Sequence, residues 1–324
     1  MSRLPAAAKL PRAASADADA MARRALAGLV QMTAVNDKAA NFGTCARLVR
    51  EAVAAGCRIV FLPENFSFMG AKPGEAQTAA EPLDGPTMGR YLELARSERV
   101  WLSLGGFQER VEGESRIYNT HVVVSSSGAI RAAYRKIHLY DAPFVGLVES
   151  KQALAGDTLV ATDSPVGRLG VTICYDLRFP EMYQKLTHVH GAQVLLMPSA
   201  FAPKTGAAHW ETLLRCRAIE TQCYVVAAAQ AGLHNTDGNR RTSWGHALAY
   251  DPWGECVAKF DDGAAGVGVV PFEIDLELVD STRRNMPMDR HRRYDVYGDG
   301  PHAAAPPPPP DEAEAEAAKG LGFG

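Results

Sequence analysis

Apolar residues along this chain fall into two recurring patterns. Short runs rich in apolar and β-branched residues, such as ALAGLVQM at 25–32 and RIVFL at 58–62, have the length and character of buried strands. Between them lie stretches whose apolar residues recur at helical spacing. In 41–55 these are Phe42, Cys45, Leu48, Val49 and Val53, with Asn41 placed to cap the first turn. The same reading predicts helices over 88–98, 181–190 and 206–221, and strands over 100–105, 169–173, 193–198 and 223–230. Strands at 117–125 and 129–136 flank a Ser-Ser-Gly turn, and those at 243–250 and 255–260 flank a Pro-Trp-Gly turn. A run at 267–274 closes the sheet. Apolar strands in turn with amphipathic helices define an α/β layered fold. Strand pairs joined by short turns make its sheets mixed.

Both ends break the pattern. Residues 1–24 are Ala-rich, with Arg3, Lys9, Arg12, Arg23 and Arg24 against Asp17 and Asp19, and lack the apolar centre of a secretory signal. They read as a disordered extension or as a mitochondrial or plastid transit peptide, the aspartates weighing against the second. Met21 offers an alternative start. Residues 299–324 contain five consecutive prolines at 306–310 and then an acidic Ala/Glu tract, a polyproline-like tail. The folded unit is expected over 25–298.

Composition narrows the class of protein. Hydrophobic content of 47% and 22% charged residues suit a soluble globular chain of 324 residues, expected in the cytoplasm unless the N-terminus redirects it. A formal charge of −3 and a pI near 6.3 argue against nucleic-acid or anionic-membrane partners. No apolar run is long enough to cross a bilayer. Six cysteines without a C-x-x-C pair read as free thiols in a reducing compartment, not a disulfide scaffold or zinc ribbon. His188 and His190 form an H-x-H with no accompanying ligand motif, and Gly266 and Gly268 do not complete a dinucleotide fingerprint. Arg283, Arg284, Arg290, Arg292 and Arg293 form a basic cluster, read as a subunit contact or solvated face.

Three reactive side chains follow directly on apolar strands: Glu64 after RIVFLP, Lys136 after AAYR and Cys174 after LGVTI. Strand ends are where sites gather in layered α/β proteins. Taken singly, each has a plain structural reading: a turn acid, a strand-end charge and a buried thiol. Taken together they suit acyl transfer. Glu64 would exchange the thiol proton, Cys174 would attack the carbonyl carbon, and Lys136 with the Tyr175 backbone N–H would hold the oxyanion. Pro180 suits the first turn of a helix. Cys174 is therefore expected at an elbow under that helix's positive end, which would lower its pKa. Arg178, four residues past the thiol, could hold a substrate carboxylate bidentately or form a structural salt bridge. Phe201 and Thr205 are candidates to line the pocket. Trp210 is a weaker one, since aromatics at helical spacing are more often core.

LPENF at 62–66, YRKIHLYD at 134–141 and GVTICYDLRFPE at 170–181 resemble, in this order, the three signature segments of the carbon–nitrogen hydrolase, or nitrilase, superfamily. The resemblance runs over roughly residues 25–298. It implies a four-layer αββα sandwich with Glu64, Lys136 and Cys174 as a catalytic triad, requiring no metal or cofactor. Glu149 in LVESKQ matches an additional glutamate that orients the lysine and the substrate. A homodimer or larger homo-oligomer is implied as well. NFGTCARLVREA, WLSLGGFQER, GAAHWETLLRCRAIETQCYVVAAAQ and SWGHALAYDPWGE look closest to the Nit branch. That branch implies a small-molecule amide as substrate: deaminated glutathione, an N-acylated Cys-Gly cleaved to 2-oxoglutarate and cysteinylglycine in metabolite repair. The alternative is 2-oxoglutaramate, or another small ω-amide or N-carbamoyl compound.

Overall fold

The computed structural model describes residues 23–142, 147–260 and 266–297. The expected N-terminal extension, except its last two residues, and the Pro-rich tail lie outside the described residues. In chain order the elements are β1 (Arg24–Met32), α1 (Lys38–Ala54), β2 (Ile59–Leu62), α2 (Glu75–Ala79), α3 (Pro86–Glu98) and β3 (Trp101–Arg110). Next come β4 (Ile117–Val124), β5 (Ile130–Arg135), β6 (Asp141–Ala142), β7 (Leu147–Val148), β8 (Val160–Ser164), β9 (Gly167–Val171), α4 (Pro180–His188) and β10 (Val194–Leu196). Then follow α5 (Pro203–Thr221), β11 (Tyr224–Ala227), β12 (Ala229–Leu233), β13 (Thr242–Trp244), β14 (Leu248–Tyr250) and β15 (Cys256–Lys259). The last are β16 (Gly268–Asp275), α6 (Leu276–Asn285), α7 (Met288–His291) and α8 (Tyr294–Tyr297). All six cysteines are free thiols.

The strands form two large mixed sheets. In the first, β1, β2 and β3 run parallel because helices connect them, and β4 and β5 continue as an antiparallel meander. β16 pairs antiparallel along β1, while β12 joins its last two residues and carries β13. The second sheet has the order β15-β14-β11-β10-β9-β8, with β9, β10 and β11 parallel.

Strand periodicity sorts the side chains into layers. Ala27, Leu29, Ile59, Phe61, Trp101 and Val123 of the first sheet share one core with Leu169, Val171 and Leu195 of the second. Their alternates Val30, Met32, Val60, Leu62, Leu102 and Val122 pack instead with Leu48 and Val49 of α1 and Met88, Tyr91 and Leu94 of α3. Tyr183 and Leu186 of α4 and Trp210 and Leu214 of α5 close the far side of the second sheet. The result is the helix–sheet–sheet–helix sandwich that the resemblance implied.

Several element boundaries differ from those expected. Helix α1 starts earlier, because Asp37, not Asn41, caps it by accepting the N–H groups of Ala39 and Ala40. Asn41 is buried and ties Val35 to Ser67. The strand expected over 223–230 is two strands in different sheets, β11 and β12, with only Ala228 between them. The run 243–250 likewise divides into β13 and β14 at Gly245 and His246, both at positive φ. Helices α6 to α8 were not expected, and they hold the basic cluster against the chain itself. Arg283 donates to Ala192 O at 2.9 Å, Arg284 pairs with Glu277, and Arg293 pairs with Asp295.

A buried histidine bridges the two sheets. His121 Nδ1 lies 2.9 Å from Thr172 O and its Nε2 lies 2.7 Å from Ser103 Oγ. A carbonyl can only accept, so Nδ1 carries the proton and the neutral ring accepts from the serine. Burial pushes its pKa down to about 4. A depressed histidine pKa contributes stability above the unfolded value, about 6.5, that is lost as pH falls through the folded one. We expect roughly 3 kcal/mol of such loss from this residue between about pH 6.5 and 4. His121→Asn, which keeps a donor for Thr172 but does not titrate, should be less stable at pH 7 and lose less on acidification. Thermal melts across that range check this; parallel pH profiles for the two proteins would contradict it.

Candidate active site

The three reactive side chains come from both sheets and meet where the sheets face each other. Glu64 lies two residues past β2 and Lys136 directly after β5, both on the first sheet. Cys174 lies three residues past β9 of the second. Glu64 and Lys136 are almost wholly buried, at 4% and 3% exposure, and Cys174 is half-buried. The Cys174 thiol lies close enough to the Glu64 carboxylate and the Lys136 ammonium for both charges to act on it. Lys136 Nζ lies 3.6 Å from Glu64 Oε1 and 3.0 and 2.9 Å from the two oxygens of Glu149. Glu149 is fixed in turn by the Tyr140 N–H at 2.6 Å. All four expected residues therefore converge.

Electrostatics assign the resting protons. Burial disfavours the charge on Lys136, but Glu149, Glu64 and Cys174 outweigh it and raise the pKa above the ordinary lysine value. The lysine is an ammonium at any physiological pH. Burial also pushes the Cys174 thiol up, and the Glu64 carboxylate adds to that. Lys136 and the Ala200 N–H act in the opposite direction and are outweighed. This corrects the expectation of a thiol lowered by a helix end. The turn Cys174–Arg178 intervenes, so helix α4 starts six residues on, at Pro180. At rest the sulfur keeps its proton, and a carboxylate is in place to accept it. The elbow itself is as expected: Cys174 has φ +47°, a region costly for a residue with a Cβ, and its N–H is held by Pro198 O at 3.0 Å.

Two supporting groups escaped the sequence reading. Asn119 of β4 donates to Glu64 Oε1 at 2.9 Å, and Gln230 of β12 donates to Glu64 O at 2.9 Å. Glu64 reaches Asn119 past a bulge in β3 between Leu104 and Phe107, where the strand was expected to end. A Cβ on Gly105 would come within 2.4 Å of Leu62 O, and one on Gly106 within 2.7 Å of Asn119 Oδ1. Paired glycines inside a strand pattern are the signal that points to such close backbone approach.

The expected substrate-binding residues are placed unequally. Arg178 lies beside Tyr175 and Phe201, its guanidinium carbon 5.8 and 5.6 Å from their ring centroids. Its Nη1 is 3.3 Å from His209 Nδ1. Among the described residues no carboxylate pairs with it, which argues against the structural salt bridge. Phe201 is buried against Trp210, which donates its indole N–H to His246 O at 2.7 Å and belongs to the core. Thr205 sits in the first turn of α5 and donates to Ala202 O at 3.2 Å.

This scaffold and its signature segments are shared with known proteins. The family model for carbon–nitrogen hydrolases matches residues 26–284, and the chain belongs to that family. It is 46% identical over 284 residues to a protein of Homo sapiens named deaminated glutathione amidase, spanning 86% of this chain and 85% of that one. A protein of the same name from Dictyostelium discoideum is 43% identical over 280 residues, spanning 83% and 94%. The crystal structure of Saccharomyces cerevisiae Nit3, a member of branch 10 of the nitrilase superfamily, matches with a TM-score of 0.73 at 28% identity, covering 84% of this chain and 98% of that one.

Proposed function

We propose that this carbon–nitrogen hydrolase is a cysteine-dependent amidase that cleaves deaminated glutathione to 2-oxoglutarate and cysteinylglycine. The observation that carries the reading is the meeting of a thiol, a carboxylate and a lysine in one largely buried place, with Lys136 Nζ 3.6 Å from Glu64 Oε1 and Cys174 beside both. Similarity to proteins named for that substrate supports the choice among amides.

In this mechanism Glu64 takes the Cys174 proton as the sulfur adds to the amide carbon, and the carbonyl π electrons move onto oxygen. The oxyanion is held by the Lys136 ammonium and the Tyr175 N–H. An ammonium has three donors. Glu149 accepts from it through both oxygens and Glu64 lies 3.6 Å away, and the two carboxylates keep it charged. Collapse breaks the C–N bond as Glu64 delivers its proton to the leaving nitrogen, releasing cysteinylglycine and leaving a thioester. Glu64 then removes a proton from water. The resulting hydroxide adds to the thioester, and expulsion of the sulfur restores the thiol with the proton from Glu64. Arg178, charged and without a carboxylate partner among the described residues, binds a carboxylate of the acyl group, with Tyr175 and Phe201 around it.

The second reading is hydrolysis of 2-oxoglutaramate, which presents the same acyl group with ammonia as leaving group. We expect kcat/KM for deaminated glutathione to exceed that for 2-oxoglutaramate at least tenfold, worth about 1.4 kcal/mol of contact with the Cys-Gly part. Steady-state kinetics on both amides decide it, and a clear preference for 2-oxoglutaramate reverses the assignment.

A further inference from the structure

Fully buried Asp176 has no part in the mechanism above, yet its carboxylate receives four donors. Oδ2 accepts Tyr134 OH at 2.7 Å and Ile173 N–H at 2.9 Å. Oδ1 accepts His138 Nδ1 at 2.7 Å and His138 N–H at 3.3 Å. These donors are not scattered. Tyr134 and His138 stand two residues before and two after Lys136, and Ile173 directly precedes Cys174. The Tyr134 hydroxyl also accepts the Ile137 N–H at 3.1 Å, so three positions around the lysine depend on one carboxylate. His138 stacks on Phe179, at 3.7 Å between ring centroids, and so meets the Cys174 turn a second time.

The site needs such a device because its parts belong to different sheets. The bonds from Lys136 N–H to Asn119 O and from Gly156 N–H to Lys136 O secure the lysine backbone on its own side. Apart from the bond between His121 and Thr172 O, contact between the sheets is largely apolar, and apolar packing is non-directional. It sets a spacing without fixing where one side chain stands against another. The elbow at Cys174 is also strained, and such a backbone persists only when its surroundings over-determine it. Asp176 holds the N–H of Ile173, the residue directly before Cys174, while Pro198 O holds the N–H of Cys174 itself.

We propose that Asp176, acting through Tyr134 and His138, is a positioning residue that sets where the Lys136 ammonium stands relative to the Cys174 sulfur. The proposal rests on the triad reading above. It separates two properties of the thiol. Alkylation of the sulfur needs Glu64 to take the proton and feels Lys136 only through its charge, whereas acylation also needs Lys136 correctly placed over the oxyanion.

The test uses full-length enzyme and two reagents, p-nitrophenyl acetate for the rate of Cys174 acylation and iodoacetamide for its alkylation. Tyr134→Phe keeps the ring and removes the hydroxyl. Acylation should slow roughly 10- to 100-fold, the range expected for a misplacement of about 1 Å, while alkylation stays within about threefold. His138→Ala should behave likewise. His138→Asn, whose amide nitrogen can stand near the position of Nδ1, should recover most of the acylation rate. Equal loss of acylation and alkylation, loss of neither, or no recovery in His138→Asn overturns the positioning role. If wild-type Cys174 is not acylated at all, the triad reading itself falls and takes this inference with it.

Discussion

Cys174→Ala is expected to remove amide hydrolysis, by on the order of 10⁵- to 10⁶-fold in kcat, and to leave the fold intact. The loss is large because nothing else in the site can form the thioester. Cys45 and Cys57, with pKa values raised by burial to about 12 and about 11, lie in or beside the helix layer over the first sheet. Stability should change by no more than about 1 kcal/mol, since alanine keeps the Cβ and removes a single atom from a residue that is not fully buried. The strained backbone at φ +47° is unchanged by the substitution. Glu64 loses the thiol but retains Asn119 and Lys136. Turnover, a thermal melt and mass spectrometry of the quenched wild-type reaction check all three parts. Residual activity above a few per cent, or a wild-type adduct at another residue, would contradict the assignment of the nucleophile.

Lys136→Met should cost activity by a different route and destabilise the protein as well. Removing an oxyanion donor typically costs 10²- to 10³-fold in kcat. In the proposed mechanism Lys136 is such a donor, with a full charge that also opposes the raised thiol pKa, so a loss of at least 10³-fold is expected. The stability cost, about 3–5 kcal/mol, arises because Glu64, which is buried, and Glu149, which is partly so, would remain without their countercharge. The pH dependence follows from the sign of the shift. The raised lysine pKa means its contribution is fully present below the unfolded value near 10.4 and is lost only as pH climbs through the higher folded value. The difference between wild type and variant should therefore hold steady between about pH 6 and 9. Denaturant melts at several pH values measure this. A variant as stable as wild type at pH 7 would mean that the three charges do not interact as described.

Much of the architecture was readable from local pattern. IVFL at 59–62 is apolar throughout and LGVTI at 169–173 is so but for Thr172, because their strands are covered on both faces, and each leads within two residues to a residue of the site. The Glu, Lys and Cys segments could be found because strand ends project into the same layer. What stayed hidden depends on contacts distant along the chain. In YVVAAAQ every residue is buried, so no change of period marks the point where the chain leaves one sheet for the other. The thiol was misjudged for the same kind of reason. A helix end is a local feature, whereas Glu64, which helps hold the proton on sulfur, is 110 residues away. Asn119 looked like an ordinary strand residue until the glycine bulge opposite brought Glu64 to it.

Ala228 is the only residue between a strand of one sheet and a strand of the other, and Gly245 with two neighbours makes the return crossing. Such short stitches leave no slack for the two halves to swing apart like a book. Admission of reactant and escape of product must therefore proceed without parting the sheets. Cross-linking one sheet to the other should leave throughput unaltered.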